Sequence, residues 1–140
     1  MKNILFLCTG NSCRSQMAEG WAKKYWRQEF NIFSAGTKKH GMNARAMKVM
    51  KEAGVDISSH YSKTVEELPK LTFDYVVTVC DHAHENCPYF PGTKIVHVGF
   101  QDPPALTKDM SSEEEILAIY RCVRDEIETF VKEMKKTLEK

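Results

Sequence analysis

The sequence predicts a single α/β domain: a four-stranded parallel sheet with helices on both faces. Three observations carry this. Short apolar runs alternate with longer segments of helical periodicity along the whole chain. The first run, Lys2 to Leu7, is nearly continuously apolar, as in a central parallel strand covered on both sides. The chain has 140 residues and shows no repeat, linker or low-complexity segment, so residues 1–140 fit one domain with one core.

The elements follow in order. After the first strand and a polar loop, Gln16 to about Arg27 reads as a helix, with Met17, Trp21, Ala22 and Tyr25 on its apolar stripe and Lys23, Lys24 and Arg27 away from it. Phe30 to Ser34 reads as a second strand, punctuated by Ser34-Ala35-Gly36. Asn43 or Ala44 starts a second helix with Ala46, Met47, Met50 and Ala53 as its stripe, and Gly54 sits where a terminating glycine belongs. Thr64 is placed to cap a short turn over Val65 to Leu68, stopped by Pro69. Phe73 to Val79, rich in β-branched and aromatic residues, is the strongest strand signal. Thr93 to Val98 reads as the fourth strand, and Gly99 to Leu106 as a loop. Ser111 or Ser112, followed by Glu113, Glu114 and Glu115, opens a long helix. Its predicted face is Ile116, Ile119, Tyr120, Val123, Ile127, Phe130, Met134 and Leu138.

Bulk properties narrow the function classes. Hydrophobic residues make up 42% and charged residues 28%, with a formal net charge of +1. The basic residues are dispersed, so no face for nucleic acid is implied. No apolar run approaches the ~20 residues needed to span a bilayer. The N-terminal apolar run ends at Cys8 and Thr9 without a cleavage-site pattern, so it is read as a strand, and a cytoplasmic monomer is expected. The five cysteines are an odd number, which argues against a structural disulfide framework and leaves room for catalytic or redox thiols.

Cys8-Thr9-Gly10-Asn11-Ser12-Cys13-Arg14-Ser15 stands at the junction of the first strand and the first helix. Successive N–H groups of such a loop, with those of the helix start, can surround a tetrahedral oxyanion. Gly10 is expected to permit the tight turn. Arg14 offers a planar fork of donors to two anion oxygens. This positive setting is expected to lower the pKa of Cys8 and make it a nucleophile. Asn11 is a candidate for holding the loop's shape and Ser15 for donating to the Cys8 thiolate, though both also fit helix-cap roles.

In parallel α/β sheets ligands bind beyond the carboxyl ends of the strands, where Cys8, Cys80 and the Asp102-Pro103-Pro104 loop all fall. A carboxylic acid at Asp102 is suited to protonate a leaving oxygen. Cys80 and Cys87 flank Asp81 to Asn86. They can bond only if the intervening segment bends, because disulfide Cα atoms must come within ~7 Å. A redox pair, a metal site with His82 and His84, and two unrelated thiols are the three readings. The spacing departs from the usual zinc knuckle, and no metal is expected. Cys13 and Cys122 read as packed thiols, and His40, His60 and His97 as isolated side chains.

Residues 8–20, Ser34-Ala35-Gly36, Cys80 with Cys87, and Asp102-Pro103 together resemble the thioredoxin-coupled arsenate reductases, a family that shares its fold with the low-molecular-weight protein tyrosine phosphatases. The loop and the Asp-Pro are common to both; Cys80 and Cys87 separate them. The resemblance implies that arsenate, or phosphate or sulfate as mimics, is bound by the loop from Thr9 to Ser15. It implies that Cys8 attacks arsenic, that Asp102 protonates the departing oxygen, and that a transient Cys8–Cys80 disulfide gives way to Cys80–Cys87. Thioredoxin then reduces that disulfide, with no bound cofactor. The segment from Cys80 to Pro91 is accordingly expected to be the most mobile. The competing readings are a phosphotyrosine phosphatase, weakened by Pro103 and Pro104 where an aromatic pair is absent, and an oxyanion- or metal-sensing binding protein. Some members of the family hold potassium beside the loop with an Asn, a Glu, a Ser and an Asp. Asn11, Glu19 and Ser34 match, whereas Lys63 stands at the Asp position, so an ammonium is expected in the cation's place.

Overall fold

The computed structural model describes residues 1–81, 90 and 92–139. Its strands are β1 (Lys2–Cys8), β2 (Phe30–Gly36), β3 (Tyr75–Thr78) and β4 (Lys94–His97). They form one fully parallel sheet in the order β2-β1-β3-β4. The helices are α1 (Arg14–Trp26), α2 (Ala44–Glu52), α3 (Pro103–Thr107) and α4 (Glu113–Leu138), with a 3-10 turn at Val65–Glu67. The predicted fold class is the observed one.

Ile4, Leu5, Phe6 and Leu7 are all fully buried, and so are Val76 and Val77. Successive residues on a strand face opposite ways, so both faces of the two central strands are covered. β4 is an edge strand and three of its four residues are exposed. α1 is tied to α4 by the indole of Trp21, which donates to the Arg124 carbonyl at 3.2 Å, and by that of Trp26, which donates to the Val131 carbonyl at 2.7 Å. The Asn43 side chain caps α2 by accepting from the Ala46 N–H, and Gly54 follows at φ +87°. Thr64 and Glu67 form a reciprocal capping box, and Ser112 caps α4.

Several boundaries differ from the sequence reading. α1 begins two residues earlier, at Arg14, which brings its N-terminus into the Cys8 loop. Tyr25 is exposed, because the buried stripe of α1 ends at Ala22. On α2 Val49 is buried in place of Met47 and Ala53, and on α4 Leu117 and Val131 replace Ile119 and Phe130. These substitutions each move the buried face by a residue or so, within what a 3.6-residue period allows when the facing surface is unknown. Cys122 is exposed, its thiol donating to Glu126 Oε1 at 3.5 Å, so it is not a packed thiol. The Gly99 to Leu106 loop contains the start of α3, with Asp102 at its N-cap and Pro103 in its first turn.

Candidate active site

β1 ends at Cys8, and the chain then wraps a cavity of about 220 Å³ before entering α1. The loop is shaped by what holds its carbonyls. Cys8, Thr9, Gly10 and Ser12 accept from the N–H groups of Thr37, Lys38, His40 and Asn43, at 2.9 to 3.2 Å. Gly10 accepts also from Ser62 Oγ, Asn11 from Gln16 Nε2, and Cys13 from the Met17 N–H. Every carbonyl from Cys8 to Cys13 is thus engaged by groups around the outside of the loop. In a planar trans peptide the N–H points opposite to the C=O, so the N–H groups of Thr9 to Arg14 are turned inward.

Asn11 fixes this shape. It is fully buried and sits at φ 49°, a left-handed conformation that Asn tolerates better than most residues. Its amide nitrogen donates to Ser15 Oγ and Ser34 Oγ at 2.9 and 3.0 Å. Its amide oxygen accepts from Gln16 Nε2 and the Lys63 N–H at 2.9 and 3.0 Å. The shape-holding role read for Asn11 from the sequence is what its contacts describe. Ser15 Oγ accepts from the Asn11 amide, which leaves its O–H as a donor. The glycine at position 10 has a different reason from the expected turn: its φ is not positive, but a Cβ there would come within 2.3 Å of the His40 ring. Gly36, read from the sequence as punctuation after the second strand, is set by close approach: a Cβ there would lie 2.4 Å from the Lys38 carbonyl and 2.6 Å from that of Thr9.

Arg14 opens α1 with its guanidinium beside the cavity. Its Nη1 donates to the Phe100 carbonyl at 3.0 Å, and its Nη2 lies 3.6 Å from Asp102 Oδ2. Its Nε is buried with no hydrogen-bond partner among the described residues. That donor, together with Nη2, forms the guanidinium edge suited to an oxyanion. Asp102 is half exposed on the opposite rim, and His40 and Pro104 complete the wall.

Cys80 follows β3 and is brought to the same place. Its Sγ lies 3.2 Å from Thr9 Oγ1, and its thiol is near enough to Cys8 to act on the Cys8 pKa. Both are buried. The lowered Cys8 pKa expected from the loop is therefore not found: the hydrogen bond with Cys80, and then burial, push the Cys8 thiol up, against the opposing pull of Arg14 and of the Thr9 N–H. Burial likewise pushes Cys13 up to about 12, with Arg14 opposing it, so that thiol stays protonated. Cys87, His82 and His84 lie outside the described residues, as does most of the Cys80 to Pro91 segment. Among the described residues there is no group of three or more His, Cys, Asp and Glu side chains placed to hold a metal. No helix among them is long and apolar enough to cross a membrane.

Beneath the loop Glu19 is almost fully buried. It accepts from Ser34 Oγ and, at 2.6 Å, from Lys23 Nζ; Lys63 Nζ lies 3.9 Å and His60 Nε2 3.8 Å from it. The ammoniums of Lys23 and Lys63 therefore both stand beside the Glu19 carboxylate. Burial raises the Glu19 pKa, but the hydrogen bonds of Lys23 and Ser34 and the charges of His60 and Lys23 outweigh it and hold it below the usual carboxylate range. Burial lowers Lys63 and His60 from their ordinary values, with Glu19 opposing in each case. A carboxylate whose folded pKa lies below its unfolded one stabilises the fold above about pH 4.5 and loses that contribution as pH falls through the folded value. The stability gap between wild type and Glu19→Gln, from urea unfolding, is expected to be constant near neutrality and to shrink below about pH 4.5.

Fold and site together define a thiol-centred pocket for a tetrahedral oxyanion on a parallel α/β sheet. The chain belongs to the low molecular weight phosphotyrosine protein phosphatase family, whose model it matches over residues 3–140. The arsenate reductase of Halalkalibacterium halodurans is 50% identical over 137 residues, covering 97% of this chain and 96% of the relative. That of Bacillus subtilis is 47% identical over the same coverage. A solved arsenate reductase in its phosphate-binding state superposes with a TM-score of 0.82 at 28% identity, covering 99% of each chain.

Proposed function

We propose that this protein reduces arsenate to arsenite through a relay of Cys8, Cys80 and Cys87, regenerated by thioredoxin in a reducing, cytoplasmic setting. The observation that carries the reading is the second thiol: Cys80 is buried beside the Cys8 loop, its Sγ 3.2 Å from Thr9 Oγ1, and it acts on the Cys8 thiol. A phosphatase needs one nucleophile there, and water completes its reaction. The near-50% identity to arsenate reductases over almost the full chain supports the same conclusion.

The chemistry follows from the geometry. Arsenate is held by the inward N–H groups of Thr9 to Arg14 and by the Nε and Nη2 edge of Arg14. Cys8 attacks arsenic, and its thiol proton leaves with one arsenate hydroxyl as water, Asp102 carrying the proton to the departing oxygen. The Cys80 thiolate then attacks Cys8 Sγ. The S–As bond breaks, its electron pair passes to arsenic, and As(V) becomes As(III), which takes protons from water and leaves as arsenite. Cys8 and Cys80 are now a disulfide. Cys87 attacks Cys80, Cys8 leaves as thiolate, and the dithiol of thioredoxin reduces Cys80–Cys87.

The test is a thiol count and a disulfide map after one equivalent of arsenate is added to reduced protein. Two thiols are expected to disappear, with Cys80 linked to Cys87, and thioredoxin with its reductase is expected to support arsenate-dependent NADPH consumption. Unchanged thiols with undiminished phosphate-ester cleavage would instead make the protein a phosphatase.

A further inference from the structure

The relay makes opposite demands on Cys80: it must sit at Cys8 for the first exchange and leave for the second. Three side chains outside the oxyanion pocket bear on this. Thr78, the last residue of β3, is fully buried and is the register partner of His97, the last residue of β4. Thr78 Oγ1 lies 2.9 Å from His97 Nδ1, and His97 Nε2 lies 3.0 Å from Oδ1 of Asp81, the residue that follows Cys80. Gly99 leaves room for the contact; a Cβ there would stand 3.3 Å from Asp81 Oδ1 and 3.4 Å from His97 Nε2. On the other side of Cys80, the carbonyl of Val79 is fixed by the Phe100 N–H at 3.2 Å.

We propose that Thr78, His97 and Asp81 form a latch that holds Cys80 against Cys8, which makes His97 a positioning residue for the first thiol exchange. The inference rests on the relay proposed above. The anchors bracket Cys80: Phe100, in the loop after β4, holds the peptide before it, His97 at the end of β4 holds the residue after it, and Thr9 meets its sulfur. The chain Thr78–His97–Asp81 works in either charge state of the imidazole, because Thr78 both donates and accepts. The Asp81 carboxylate is 85% exposed, so water competes for its half of the latch. A weak, reversible contact suits a residue that has to stay and then go.

The test compares His97→Ala, Asp81→Ala and Asp81→Asn. The first readout needs no arsenate: alkylation of Cys80 in the reduced protein by iodoacetamide, followed by peptide mass. Both alanine variants are expected to release Cys80 about fivefold faster, and Asp81→Asn, whose amide oxygen still accepts from His97, to stay within about twofold of wild type. The second readout is activity. Arsenate turnover falls by a similar factor in the alanine variants and recovers in Asp81→Asn, while phosphate-ester cleavage, which uses Cys8 without Cys80, is unchanged. Asp81 is exposed, so its variants fold even where His97→Ala does not. Unchanged Cys80 alkylation in Asp81→Ala overturns the latch. Faster alkylation with wild-type arsenate turnover overturns the positioning role. A wild type that reduces no arsenate, with Cys80 still released by the variants, keeps the latch and removes the reductase reading.

Discussion

Arsenate reduction by Cys80→Ser is expected to fall below about 1% of wild type, while cleavage of an aryl phosphate persists. Serine keeps nearly the same volume and a hydroxyl that can still meet Thr9 Oγ1, so the buried site, where Cys80 is 3% exposed, is not reorganised. What is lost is a nucleophile able to attack sulfur. Arsenate then stalls as the Cys8 adduct, or returns to arsenate by hydrolysis, with no electrons transferred. The same variant moves Cys8. The hydrogen bond with Cys80 is the leading cause that raises the Cys8 pKa, and Arg14 remains to pull it down. Alkylation of Cys8 as a function of pH is therefore expected to shift to lower pH in Cys80→Ser. Arsenate turnover by the variant at the wild-type rate would mean that the second thiol is not part of the reaction.

Asn11→Ala is expected to cost about 3 kcal/mol of stability and to lower both arsenate reduction and phosphate-ester cleavage by about a hundredfold. Two effects add. Alanine at φ 49° is strained where asparagine is tolerated. The truncation also leaves Gln16 Nε2 and the Lys63 N–H without their shared acceptor, and Ser15 and Ser34 without their donor, in a site that water does not enter freely. The loop's inward N–H groups depend on that frame. Urea unfolding gives the stability change. Loss of both activities together distinguishes a collapsed anion site from a broken relay, in which only arsenate reduction fails.

The parts of this site that were legible in the sequence are those written in local pattern. The β1 run, the C-x5-R spacing and the helix after it place a thiol, a loop and a guanidinium in series. The parts that were not legible depend on segments far apart in the chain. Asn43 reads as a helix cap and is one, yet its N–H also holds the Ser12 carbonyl at 3.0 Å. Gln16 reads as a polar residue in a helix start, but it is buried and joins Asn11, the Tyr61 carbonyl and His60. His97 reads as an isolated histidine, and strand register makes it the partner of Thr78. A buried polar side chain has no periodicity to betray it; only its partners show what it does.

The sequence by itself determined the class of fold and the strand, loop and helix that set Cys8 and Arg14 in series, because hydrophobic period and motif spacing are local properties of the chain. Only the tertiary structure decided that Cys80 meets Cys8. Thr9 and Cys80 are 71 positions apart, and it is the adjacency of β1 and β3 in the sheet that brings them to 3.2 Å. That same contact reversed the expectation for Cys8. The loop's positive setting favours a thiolate, but a hydrogen-bonded second thiol and burial in the core hold the proton on, and neither can be read from residues 8 to 15 alone.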